Sequence, residues 1–191
     1  MISHSRVDLE TSYFFSDEHG WFMGPGAVDE GYADYWSATR QDDPHHSTYA
    51  SGAIDQDRTL LNDHTCPADV HGESHEDGQV VSGAGWEIRE ALGAERADQL
   101  MYQAYGLLST RPTLGDLAEA LSATAWDLES AGILTAEEAE VVELVLDERG
   151  LRRCGRFLAL QDGEAMPVNL TVFYWLTGAS WKLACRDLQD E

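Results

Sequence analysis

Apolar residues recur at helical spacing through most of the second half of the chain. Trp86, Ile88, Ala91 and Leu92 open a helical stretch after Gly83. Ala97, Leu100, Met101, Ala104, Tyr105 and Leu108 continue it at i, i+3, i+4 and i+7. "RPTLGD" then restarts the pattern, with Thr113 as N-cap and Asp116 three residues on. Leu117, Leu121, Thr124 and Leu128 carry that face to Gly132. Thr135 and Glu138 form a second capping box, opening a helix predicted to run to about Glu148 and to stop at Gly150. Three or four helices joined by short turns predict a mainly α chain built as a small helical bundle.

The ends of the chain read differently. Residues 1–24 mix polar and aromatic residues and read as irregular or partly extended. "GPG" at 24–26 is a turn with Pro25 as a helix opener, and 27–39 is helical, with Tyr32, Tyr35 and Trp36 available for packing. Beyond Cys154, "RFLAL" and "VNLTVFYWLTGASWKLAC" have β-rich composition broken by turn residues. They suit either a hairpin packed on the bundle or the start of a second domain. The division that follows is 1–160 for the helical lobe and 161–191 for a β-like tail.

Residues 40–82 have low hydrophobicity and read as one long irregular loop. A loop of that length inside a compact domain usually serves a function or links two bodies. Its clusters of His, Asp, Asn and Gly look like a site-building loop, anchored by burial of Leu60, Leu61 and Cys66.

Charge narrows the partners. The formal net charge is -23, and the last 41 residues are balanced, with five basic and five acidic side chains. Residues 1–150 therefore hold the whole excess, 30 acids against 7 bases. Nucleic acid and anionic membranes are poor partners for such a surface, whereas cations and basic peptides suit it. No signal peptide or spanning segment is visible, the longest apolar run, around Val172–Leu176, being far too short to cross a bilayer. Cys66, Cys154 and Cys185 leave an odd count without CxxC spacing. One disulfide, such as Cys66 to Cys154, and three buried thiols fit equally well.

Candidate chemistry begins at "GPGAVDEGYADYW". Glu30 and Asp34 lie four residues apart, so a helix presents both carboxylates on one face. Spacing alone suits two solvated acids near a helix N-terminus. The wording of "GAVDEGYADYW", however, resembles the segment that carries the third zinc ligand in fungalysin-like and thermolysin-like metallopeptidases, the gluzincins. "GESHEDGQVVSGAGWEIREAL", residues 72–92, resembles a second segment of the same family. "NDHTCP" and "DERGLRRCGR" resemble its connecting segments more weakly. The resemblance covers residues 1–160, and the tail matches nothing in the family.

The resemblance implies a set of roles. Glu30 would be a zinc ligand, and Asp34 would hold the free N–H of a ligand imidazole, as zinc-bound histidines require. His75 would stabilise the oxyanion of a tetrahedral intermediate. The family's H-E-x-x-H is absent from the 191 residues. "MISHS" places His4 26 residues before Glu30, an interval like that between the family's second histidine and its glutamate. His4 would then be a ligand, with the general-base glutamate standing where Met1 now is. Asp29 also departs from the pattern, because thermolysin-type members carry asparagine there.

These implications amount to the mainly helical C-terminal lobe of a zinc endopeptidase catalytic domain, truncated at its N-terminus. Its substrate would be a peptide or protein, its setting extracellular or periplasmic, and the chain alone would have little activity. The alternative is a non-catalytic helical module that binds or inhibits proteins through the old site surface. Away from the motifs, His64 and His71 read as solvated, and His45 and His46 after "DDP" read as surface turn residues. "DQD" and "DHTCPAD" offer oxygens to a structural calcium ion, without EF-hand spacing.

Overall fold

The computed structural model describes residues 24–45, 59–66, 68–70, 74–109 and 112–154, together with the backbone of five short strands. The chain is mainly α, as its periodicity predicts. Five helices carry the described core: α1 (Gly24–Gln41), α2 (Ser74–Leu92), α3 (Ala94–Leu107), α4 (Leu114–Ser130) and α5 (Ala136–Glu148). Strands β1 (Phe15–Asp17) and β2 (Gly20–Phe22) pair antiparallel ahead of α1. After the bundle, β3 (Phe157–Leu160), β4 (Leu170–Thr177) and β5 (Ser180–Asp187) form a sheet in the order β3-β5-β4, both pairings antiparallel.

Local chemistry sets most helix ends. Thr113 and Thr135 each accept from the backbone N–H three residues on, and Asp116 and Glu138 reach back to the N-cap amides. Both boxes thus satisfy amide groups that the first turn leaves without helical partners. Gly132 and Gly150 end the following turns with φ of 72° and 67°, where a side chain would be strained. Gly93, at φ 81°, divides the apolar stretch into α2 and α3 where the sequence reading runs it on as one helix.

α2 also begins nine residues before Gly83, so the irregular segment is shorter than 40–82. Three glycines in "SHEDGQVVSGAG" weaken the helical signal, since glycine costs about 1 kcal/mol against alanine in a helix. Packing explains their presence. A Cβ on Gly78 would stand 2.9 Å from the Gly31 amide nitrogen, one on Gly83 2.6 Å from the Asn62 side chain, and one on Gly85 2.9 Å from the Tyr35 ring. Each glycine lets a neighbour approach at a place where the helix is pressed against other chain.

The contacts between α1 and α2 ascend together: Gly31 meets Gly78 and Val81, Tyr35 meets Gly85, and Thr39 meets Arg89. The two helices therefore run in the same direction. Parallel neighbours cannot be joined by a tight turn, and the connecting chain must travel back along roughly 27 Å of helix. This return accounts for much of the long segment between them.

Part of that return path is pinned. Cys66 and Cys154 form a disulfide across a sequence separation of 88. The Cys66 amide donates to the Arg149 carbonyl at 2.8 Å, and a Cβ on Gly150 would strike the Cys66 carbonyl oxygen. Asn62 donates to the carbonyls of Thr59 and Gln79 and accepts from the His64 amide and from Arg149. Leu60 and Cys66 are buried as expected, but Leu61 is 51% exposed and is no anchor.

The core lies between α1, α2, α3, α4 and α5 and includes Val28, Tyr32, Ile88, Leu100, Met101, Leu117, Leu121 and Leu146, all fully buried. Tyr32 packs on Tyr105 of α3 with ring centroids 4.6 Å apart. A polar seam crosses the helices beside it. Tyr35 Oη donates to Asp98 Oδ1 at 2.6 Å, Thr39 Oγ1 donates to the same oxygen, and Arg89 reaches Thr39 and Asp42.

Candidate functional site

Glu30 lies in the second turn of α1 and His75 in the first turn of α2, 45 residues later. The parallel packing sets these early turns side by side. Gly31 and Gly78 allow the backbones to touch where the two side chains face one another. His75 Nε2 lies 3.5 Å from Glu30 Oε2. The two ends of this pair differ in exposure: the Glu30 side chain is 11% exposed and the His75 side chain 43%. The carboxylate is thus held from the protein interior while the imidazole meets solvent.

His75 is a helical residue, where the sequence reading has it in the irregular segment. Buried acids are also more numerous on these turns of α1 and α2 than the motif alone suggests. Asp34 lies one helical turn beyond Glu30 on the same face and is 2% exposed; Asp29 and Asp77 are equally buried. Asp77 is two residues after His75, in the first turn of α2, where the helix dipole favours negative charge. The sequence reading passes over Asp77 because "HED" looks like solvated loop. The one available signal is the glycine that follows it, Gly78, which marks a close approach.

The remaining histidines separate cleanly from this pair. His45 is exposed in a turn after α1, its amide donating to Asp43 Oδ1. His64 is half-buried, not solvated as expected, and its carbonyl accepts from Arg149 at 3.1 Å. His4, His19, His46 and His71 lie outside the described residues.

Among the described residues, no three His, Cys, Asp or Glu side chains are grouped to hold a metal ion. Glu30 and His75 offer one carboxylate and one imidazole, fewer than the three protein donors of a catalytic zinc. The described residues alone therefore do not fit that ion. Nor is any described helix long and apolar enough to cross a membrane.

No protein-family model matches the chain, and no curated protein matches it. The resemblance to metallopeptidases accordingly rests on the sequence motifs.

Proposed function

We propose that the chain is a helical lobe of a gluzincin-type zinc endopeptidase, with Glu30 as a metal ligand and His75 as the donor facing the reacting carbonyl. The observation that supports this reading most is the pairing of Glu30 with His75. The two residues come from separate motifs 45 residues apart, and the reading requires them to share one site. Their exposures also suit the roles. A ligand carboxylate is best fixed from the interior, and an oxyanion donor must face the substrate. Asp34, buried one turn from Glu30, would orient the imidazole of the ligand histidine that the 191 residues lack.

The general base of such enzymes is the glutamate of H-E-x-x-H, which these residues do not contain. Peptide hydrolysis by the 191 residues alone is therefore not expected. The disulfide supports an oxidising, extracellular or periplasmic setting, since such bonds are rare in reducing cytosol.

The test is to replace Met1 by His-Glu behind a new initiator, so that the chain reads H-E-I-S-H, and to titrate zinc. The reading expects one equivalent bound tightly by the extended chain, weak binding by the original, and loss on Glu30→Gln. Peptide hydrolysis should follow, falling by about two to three orders of magnitude on His75→Ala. Zinc uptake that ignores Glu30→Gln, or no uptake at all, overturns it.

A further inference from the structure

β4 stands at the margin of the β3-β5-β4 sheet. It pairs with β5 on one side and, among the described residues, with no strand on the other. The opposite margin ends differently. β2 comes alongside β3, and β1, paired to β2, is only three residues long and closes on Asp17. A short edge strand carrying a charge is a poor template for further pairing.

β4 has neither protection. It runs for eight residues, about 27 Å at the rise of an antiparallel strand. Its sequence, LTVFYWLT, contains no charged residue and no proline, the features that commonly keep an edge single. Alternate backbone N–H and C=O groups along it point away from β5, ready to pair with a further strand.

Charge decides which strand that is. Residues 1–150 carry 30 acids against 7 bases, so two bundles repel one another and a basic segment is drawn to the bundle. The last 41 residues carry five of each sign, and β4 itself carries none. The tail is therefore where two copies of the chain approach with least repulsion. An antiparallel pair of β4 strands also needs no second complementary surface, because a two-fold axis presents the same edge from both sides.

We propose that the chain dimerises through β4, its outer edge pairing antiparallel with β4 of a second copy so that the two three-stranded sheets become one. A two-fold axis normal to the sheet sets Tyr174 opposite, or diagonal to, Tyr174 of the second copy. The surface is separate from the Glu30–His75 pair and does not rest on the peptidase reading.

Sedimentation equilibrium of the full chain tests this, together with amide hydrogen exchange across 170–177. A concentration-dependent dimer is expected. It should tighten by roughly threefold or more as added salt screens the two bundles from each other. Alternate amides of β4 should exchange freely in dilute monomer and become protected in the dimer. Tyr174→Lys and Tyr174→Glu chains should each be monomeric alone, since like charges then meet across the pair, and should associate when mixed. The mixture separates loss of pairing from loss of the strand. A monomer at every concentration, a dimer that leaves the β4 amides unchanged, or a mixture that fails to associate overturns the proposal.

Discussion

Gly31 of α1 and Gly78 of α2 meet backbone to backbone, and one methyl group on Gly78 would reach 2.9 Å from the Gly31 nitrogen and 3.1 Å from the Ala27 carbonyl oxygen. Neither neighbour is a flexible side-chain end that could swing aside. Gly78→Ala should therefore part the helices, costing about 1–3 kcal/mol as other overpacked sites do. Gly106 in α3 is the matched control, because a Cβ there meets nothing within 4 Å. Gly106→Ala should stabilise by roughly 0.5–1 kcal/mol through helix propensity. Urea unfolding of the two variants checks both signs. Equal effects would show that the helix crossing is not held by this contact.

Two core tyrosines should respond differently to loss of the hydroxyl. Tyr35 Oη donates to Asp98, whereas Tyr32 Oη is buried with no hydrogen-bond partner among the described residues. At neutral pH, Tyr35→Phe should cost about 1 kcal/mol and Tyr32→Phe little. Burial raises the pKa of both above the ordinary 10.0, and the Asp98 hydrogen bond raises Tyr35 further. The unfolded chain therefore releases these protons first as the pH rises. The stability this supplies is complete below pH 10.0 and is lost progressively above it. Urea midpoints from pH 8 to 11 should fall less steeply for each Phe variant than for the parent.

The Cys66–Cys154 bond closes a long loop and ties the return segment to the end of α5. Its removal by the double Cys→Ser variant should lower stability by about 2–5 kcal/mol, chiefly by freeing the unfolded chain. Guanidinium unfolding with and without reductant measures this directly. If the reduced and oxidised chains unfold at the same midpoint, the bond contributes nothing to the fold.

What the sequence makes legible follows the range of the interactions involved. The capping boxes at Thr113 and Thr135, and the stops at Gly132 and Gly150, are written within four or five residues and can be read directly. Gly93 is missed because apolar spacing continues through it, and a positive φ leaves no mark on periodicity. The first half of α2 is missed for a tertiary reason. Gly78 and Gly83 look like loop until the neighbours pressed against them are known. Leu61 next to Leu60 shows the same limit, since adjacent leucines in an irregular segment give no period from which to tell the buried one. Of the candidate site, the identities of Glu30, Asp34 and His75 come through the motifs. Their distance does not, because it depends on the direction of α1 against α2, which no local pattern encodes.

The parallel course of α1 and α2 has a consequence for the order of assembly. α3, α4 and α5 follow one another through short turns, so their contacts close small loops. Glu30 and His75 meet only after the chain between them has doubled back, a closure with a larger entropic cost and a slower approach. The part of the molecule that carries the candidate chemistry is therefore expected to lock last. Pulsed hydrogen exchange during refolding should protect amides of α4 and α5 before those facing the Gly31–Gly78 crossing.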